Sequence, residues 1–356
     1  MWLLTLRDLQ YRRVRVLVVV ALASVLMALL FLMTGLVNQF NHEPFDATRA
    51  IGADQWVLAA GTSGPFTSAG TLPAELVDEL GPDAQGVVVA RGTISESVPG
   101  GVPDDTAEVV VVGGELDSLR TTMAAGALLE GRTVDGGDEV VLDRTAGFDV
   151  GDRLQLGPRV LEVVGLTKGT TVLAGIPLVF VEIGTAQDLA FQSRAVVSGA
   201  LLGGDPITPP PGTVVRSAEA VAEDALGPLE DAIASIDLVR ALLWIVTAVI
   251  IGAVVFLSAL ERQRDFAVFR AMGTPKRALL IAVAVQAVVV ALAGAAIAVG
   301  LHRLIIPLFP LTVRVPTQAL WQIPLGAAAA ALAAGVFGLR RVAATDPATA
   351  FAGQGT

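Results

Sequence analysis

The stretch ERQRDFAVFRAMGTPKRALL, residues 261–280, sets the organisation of the chain, because it concentrates charge between two long apolar runs. Four of its residues recur at steps of four, three and four, the spacing of one helical face, namely Arg262, Phe266, Phe269 and Gly273. Glycine takes up the left-handed conformation of a helix C-cap at little cost. The pattern therefore predicts a charged, partly apolar helix that ends at Gly273.

A second helix is predicted to follow almost at once. Thr274 can cap its N-terminus, and Pro275 fits its first turn, where a missing N–H costs nothing. Residues 278–301 then carry no charge. The segment 261–277 is therefore predicted to join two apolar helices through a short, charged turn.

Four apolar runs are long enough to cross a membrane, since a hydrocarbon core of ~30 Å takes about 20 residues of helix. We predict transmembrane helices at 16–37, 238–260, 278–301 and 319–339. A cleaved signal peptide is the alternative for the first run, but this run is long for a signal peptide and residues 35–40 offer no clear A-x-A site. A hydrophobic content of 53 % and a mean hydropathy of +0.68 agree with an integral membrane protein.

The middle of the chain is strongly acidic. Residues 38–237 hold 30 of the 34 acidic residues but 10 of the 24 Lys and Arg, so this block carries a net charge of −20 and the remainder +10. Runs rich in β-branched residues predict strands at Val87–Ala90, Val109–Val112, Val140–Leu142, Leu154–Leu156, Val160–Leu166 and Leu178–Val181. Helices are predicted at Ala74–Leu80, at Ala186–Phe191 with Thr185 as its cap, and at Ala218–Ile236. The mixture predicts an α+β domain inserted between the first and second transmembrane helices.

The distribution of basic residues predicts the orientation in the membrane. Arg and Lys gather in residues 1–15, which form a predicted interfacial helix, in the segment 261–277, and at the start of the tail 340–356. These parts, including both termini, are predicted to be cytoplasmic, with 38–237 and the loop 302–318 outside. The chain has 22 arginines but only two lysines, and this preference hints at a GC-rich bacterial source. We therefore expect a multi-pass protein of a bacterial cell membrane.

Several kinds of chemistry are disfavoured. The chain has no cysteine, which rules out disulfides, Fe–S clusters and cysteine-based zinc sites. Neither of its two lysines, Lys168 and Lys276, follows a G-x-x-x-x-G run, so there is no Walker A loop to hold ATP phosphates. The acidic middle block argues against nucleic acid as a partner. We predict that the chain is not itself an enzyme and has no catalytic, cofactor-binding or metal-binding residues.

Two features of the sequence could in principle bind a metal ion. The acidic pairs lack the D-x-[DN]-x-[DN]-G spacing of a calcium loop, and solvated charge explains them; they are Asp104/Asp105, Asp138/Glu139, Glu223/Asp224 and Glu230/Asp231. His42 and His302 both fall near the predicted outer membrane surface. A shared metal or haem is conceivable there, but solvated histidines are the favoured interpretation.

Three parts of the chain carry a resemblance to FtsX/MacB-type ABC transporter permeases. The cytoplasmic coupling segment of that family is similar to residues Glu261, Arg262, Asp265, Phe266, Val268, Arg270, Ala271, Met272, Gly273, Thr274, Lys276 and Arg277. The opening LRDLQYRR at 6–13 and the ending RRVAATDPATA at 340–350 resemble the family's two ends. Residues 149–154 and 161–165 resemble, more weakly, a hairpin of its extracytoplasmic core domain. An ordinary charged loop is the alternative for 261–277 taken alone.

The resemblance implies a homodimer, or a pseudo-twofold pair, joined to two copies of a separate ABC ATPase. It implies that the ATPase docks on a set of residues in the coupling segment, which are Glu261, Arg262, Arg264, Asp265, Phe266, Phe269, Arg270 and Gly273. Phe266 and Phe269 would be the apolar anchors, and the arginines would pair with carboxylates of the ATPase.

The expected function is that of a membrane subunit which couples ATP hydrolysis to efflux, or to mechanical work outside the cytoplasm, on an amphipathic, lipid-like or peptide substrate. One alternative is a mechanotransmitting regulator of a cell-wall hydrolase or sensor, without transport. Another is a membrane-anchored receptor with no ATPase, for which the segment 261–277 would be dispensable.

Overall fold

The computed structural model describes residues 13–96, 106–204, 207–261, 268, 272–273, 275–309 and 311–343. The helices are α1 (Arg13–Ile51), α2 (Glu75–Glu79), α3 (Leu116–Thr121), α4 (Ile183–Ala190), α5 (Ala218–Leu226), α6 (Glu230–Glu261), α7 (Lys276–Ile305) and α8 (Ala319–Ala343). Short 3₁₀ turns lie at Ala125–Ala127, Arg144–Ala146, Gly227–Leu229 and Ile306–Leu308. The chain divides into two units, which we name after the predicted topology: an outer unit, Phe40–Ile233, and a membrane unit that combines residues up to Gln39 with those from Ala234 onwards.

The outer unit is built on a mixed β-sheet. Its strands are β1 (Gln55–Ala59), β2 (Leu72–Pro73), β3 (Gln85–Glu96), β4 (Thr106–Gly114), β5 (Leu128–Gly131), β6 (Glu139–Asp143), β7 (Arg153–Leu156), β8 (Arg159–Thr167), β9 (Thr171–Val172), β10 (Ile176–Glu182), β11 (Val196–Val197), β12 (Gly199–Leu202) and β13 (Thr213–Ser217). The main sheet runs β13-β1-β12-β3-β4-β10-β6-β8-β5, and a separate pair joins β11 to β2. All six strands predicted from β-branched runs are present.

Part of this sheet closes on itself. The first half of β3 pairs with β12, whereas its end, Ile94–Glu96, pairs with β7. Since β7 also pairs with β8, the pairing β3-β4-β10-β6-β8-β7 returns to β3 and forms a ring of six strands. The pairs β10–β4 and β6–β8 are parallel, and the other pairs in the ring are antiparallel.

Both faces of the central strand β10 are buried. Val179 and Val181 pack in a cluster with residues of β6, β7 and β8. Leu178 and Phe180 face a second cluster, which includes Ala47 from the outer end of α1. Burial on both faces explains why β10 is apolar throughout rather than alternating.

Two helical predictions need correction. The predicted helix over Ala218–Ile236 is interrupted, because a 3₁₀ turn at Gly227–Leu229 separates α5 from α6. Pro228 in that turn lacks the N–H that a continuous α-helix would use. Thr185 lies inside α4 rather than at its cap, and its hydroxyl donates to the carbonyl of Gly137 at 2.8 Å.

Small residues bring the helices of the membrane unit together. An added Cβ on Gly294 of α7 would lie 3.6 Å from the Cβ of Ala23 in α1, an ordinary contact distance. A Cβ added to Gly326 of α8 would lie 2.5 Å from the Trp244 ring of α6. Such close approach of backbones is typical of helix packing in membranes. The hydrophobic effect does not drive helices together there, and small residues allow close van der Waals packing instead.

Three helical stretches of the described residues are long and apolar enough to cross a membrane, namely Val20–Ile51, Ala218–Ala253 and Val288–Ile305. Each overlaps one of the predicted transmembrane helices. The fourth predicted span lies in α8, whose apolar stretch Ala319–Ala333 is shorter. The predicted interfacial helix falls largely on residues 1–12, outside the described part of the chain.

Candidate functional site

The predicted coupling segment begins where α6 ends and finishes where α7 begins. Of its eight predicted site residues, Glu261 is the last residue of α6, and Gly273 lies in the turn before α7. The other six lie outside the described residues, and they are Arg262, Arg264, Asp265, Phe266, Phe269 and Arg270. Their contacts with an ATPase therefore stay a prediction.

The turn at Gly273 has the geometry expected from the sequence. The N–H of Met272 donates to the carbonyl of Val268 at 3.0 Å, which is a helical i→i−4 bond. Gly273 has a φ of 91°, and an added Cβ would meet nothing within 4 Å. Glycine is thus required here by backbone conformation and not by space. Pro275 is the N-cap of α7, with ψ 143°, rather than a residue of its first turn.

Two apolar side chains of this segment face solvent. Val268 is 58 % exposed and Met272 is 68 % exposed, and the four-residue spacing places both on one helical face. The sequence reasoning treated Val268 and Met272 as parts of a motif and missed them as surface residues.

The outer unit contains a buried pair of acidic side chains. Asp143, at the end of β6, is fully buried. Its Oδ1 accepts hydrogen bonds from the N–H and hydroxyl of Thr145, at 2.9 and 2.8 Å. Its Oδ2 accepts hydrogen bonds from the N–H and the hydroxyl of Thr170, at 2.8 and 3.1 Å. Both oxygens of this carboxyl group are therefore satisfied by hydrogen bonds from the protein.

Glu43 is the second member of the pair and has far fewer donors. The helix α1 has 39 residues, about 58 Å, which is well beyond the ~30 Å of a hydrocarbon core, and Glu43 lies in its outer part. Its side chain is buried, at 1 % exposure, and one carboxyl oxygen, Oε1, accepts the N–H of Gly175 at 2.7 Å. Burial raises the pKa of Glu43 to about 7, opposed by the Gly175 and Thr171 hydrogen bonds and assisted by the charge of Asp143.

The two histidines lie in different surroundings. His302 is 5 % exposed, and its ring stacks on Phe31 with 5.7 Å between ring centroids. The solvated state predicted for His302 is therefore wrong, because α7 turns this side chain towards α1. His42 is exposed. The described residues hold no group of three or more His, Asp or Glu side chains placed to bind a metal ion.

The chain is similar to known proteins over nearly all of its length. Residues 238–347 match the family described as FtsX-like permease C-terminal. An uncharacterized ABC transporter permease of Mycobacterium bovis is 39 % identical over 98 % of both chains. A second one, of Mycobacterium tuberculosis, is 36 % identical over 98 % of both chains.

A solved structure is also similar, at a much lower level. The periplasmic region of MacB from Actinobacillus actinomycetemcomitans aligns with 52 % of this chain and 98 % of its own, at 10 % sequence identity and a TM-score of 0.36.

Proposed function

Since the chain belongs to the ABC transporter permeases with an FtsX-like C-terminal part, we propose that it couples ATP hydrolysis by a separate ATPase to work on a substrate outside the cytoplasm. The chain itself carries no Walker A loop, so ATP would be bound by the partner. The substrate is proposed to be an amphipathic or lipid-like compound or a peptide. The relatives are named as permeases, which favours transport over the regulator alternative.

The ATPase is proposed to dock on the segment 261–277. The observation that carries this proposal is the exposed apolar pair Val268 and Met272, which lies between two membrane helices and beside several arginines. Exposed apolar side chains next to charge are typical of a surface that another protein covers. Phe266 and Phe269 would add apolar contacts, and the arginines would pair with carboxylates of the ATPase.

The movement that follows ATP binding is proposed to pass along α6. Closure of the docked ATPase would displace the segment 261–277 and, with it, the end of α6 at Glu261. No bond is made or broken on this chain. The proposed arrangement has four membrane spans, cytoplasmic termini and the domain 38–237 outside.

A homodimer is proposed on the exposed face of α6. Four large apolar side chains recur there at steps of four, three and four and are exposed in the single chain, namely Leu238, Leu242, Ile245 and Val249. Lipid can cover such a stripe, and so can the same stripe of a second copy. The twofold arrangement that the family resemblance implies favours the second copy.

The docking proposal is tested by affinity purification of the chain from membranes, followed by mass spectrometry of the bound proteins. The variants Phe266→Asp and Met272→Asp should both lose a co-purified ATPase, because each places a charge in a proposed apolar contact. Val160→Asp is the matched control, since Val160 is also apolar and exposed but lies on β8 of the outer unit. Normal recovery of the ATPase with both variants would refute docking at this segment.

A further inference from the structure

The outer end of α1 is held on the sheet by two turns. The carbonyl of Ala50 accepts the N–H of Ala124 at 2.7 Å, at the turn that follows α3. About two turns of helix earlier in α1, the carboxyl of Glu43 accepts the N–H of Gly175. The second turn joins β9 to β10 and consists of residues 173–175.

Both turns have strained backbones. Among the described residues, four that are not glycine have a positive φ: Ala124, Leu173, Ala174 and Gln192, at 61°, 53°, 69° and 54°. Three of these four lie in the two turns that hold α1. Such conformations persist only where the surroundings enforce them, and they cluster at places that change state. The contacts with α1 are part of that enforcement.

The 173–175 turn leads directly into the centre of the sheet. It is followed by β10, which lies between β4 and β6. Leu173 is buried in the same cluster as Ala47 and Ile51 of α1. A displacement of the outer end of α1 would therefore act on the strand that organises the outer unit.

Glu43 is the ionisable group of this contact, and few charges face it. Glu43 faces Asp143 of β6, whose carboxyl group carries charge of the same sign. The 171–175 segment contributes no charged residue. On α1 itself, Asp46 and Arg49 form an ion pair with each other at 2.9 Å, and His42 is exposed.

The second carboxyl oxygen of Glu43, Oε2, is buried and has no hydrogen-bond partner of normal geometry within the described part of the chain. The nearby Thr171 hydroxyl can donate to the carboxyl and so favours its ionised form. Together with the N–H of Gly175, this hydroxyl offsets only part of the cost of a buried negative charge that faces Asp143. The neutral carboxyl avoids that cost.

We propose that Glu43 is a protonation-controlled latch, whose neutral carboxyl holds the outer end of α1 on the 173–175 turn and whose ionisation weakens that hold. The latch deepens the proposed function, because it names a contact through which a movement of α1 would be transmitted to the sheet of the outer unit. It does not depend on the ATPase or the cargo, so it can fail while the proposed function holds.

The test is hydrogen–deuterium exchange of the full chain in lipid nanodiscs, read on peptides that cover residues 168–178 and corrected for the intrinsic effect of pH. With a pKa of about 7 when docked and 4.5 when released, protection should fall about 70-fold between pH 5 and pH 8. Glu43→Gln keeps the shape and cannot ionise, so its protection should hardly change with pH. Glu79→Gln, on the exposed end of α2, should behave like the wild type.

A second variant guards against failure of the first to fold. Thr171→Val removes a hydroxyl that lowers the pKa of Glu43, so the fall in protection should move to higher pH. The latch is refuted by wild-type protection that does not change with pH. It is equally refuted by a fall of the same size in Glu43→Gln, or by an unmoved midpoint in Thr171→Val.

Discussion

Substitution of Gly273 should uncouple the chain from its ATPase in proportion to the backbone strain that each replacement brings. Because Gly273 has a φ of 91° and an added Cβ meets nothing within 4 Å, side-chain volume has no direct steric cost here. An L-residue in a left-handed conformation costs about 1–2 kcal/mol, more when it is β-branched and less for Asn, which tolerates this region.

Those energies translate into a measurable loss of binding. A cost of about 1–2 kcal/mol lowers the equilibrium constant for forming the turn by a factor of roughly 5–30, and apparent affinity falls by up to the same factor when binding requires that turn. We expect the affinity of the purified ATPase for the chain in nanodiscs to decrease from wild type through Gly273→Asn and Gly273→Ala to Gly273→Val. Equal affinities across the series would refute a role for the left-handed turn.

Two further predictions concern stability, measured as thermal unfolding of the full chain in detergent. Asp143→Asn should destabilise the outer unit by about 3 kcal/mol. The amide NH₂ of asparagine would face the donors of either Thr145 or Thr170, which now bind the carboxylate. Wild-type stability of the variant would contradict this prediction. Gly326→Ala should lower the unfolding temperature, because the added Cβ would lie 2.5 Å from the Trp244 ring. Gly300→Ala is the control and should leave the unfolding temperature unchanged, since its Cβ would meet nothing within 4 Å. Equal effects of the two substitutions would refute the packing argument.

Six of the strands described in the outer unit were predictable from β-branched runs, and in β10 the run is continuous because both faces of the strand are buried. Val179 and Phe180 of β10 are adjacent in sequence, yet each packs into a core cluster. Continuous β-branched runs of this kind mark a strand locally. The ring of six strands was not predictable, since closure depends on which end of β3 meets β7, a pairing across about 60 residues of sequence.

The sequence contained a signal for the break between α5 and α6 that was not used. Gly227 and Pro228 stand side by side in the predicted helix, and this pair commonly ends helices. Gly273, in contrast, was identified correctly as a left-handed helix stop, because it stands directly after a helical pattern and before a proline.

Glu43 could not be found from sequence. It stands six residues beyond the first predicted span and three before Asp46, a position where solvated charge is the ordinary expectation. Its hydrogen-bond donor, Gly175, is 132 residues away along the chain. The positive φ values of Leu173 and Ala174 were equally hidden, since neither residue type favours that conformation.

The account as a whole is tested most directly by ATP hydrolysis, measured in parallel on the purified chain, on its co-purified complex and on the complex prepared from Phe266→Asp, all in lipid nanodiscs. The account predicts no hydrolysis by the chain alone, steady hydrolysis by the wild-type complex with a Walker-motif subunit in equal number, and loss of that subunit from the variant. A chain that hydrolyses ATP by itself, or that never retains an ATPase from its own membranes, would contradict it.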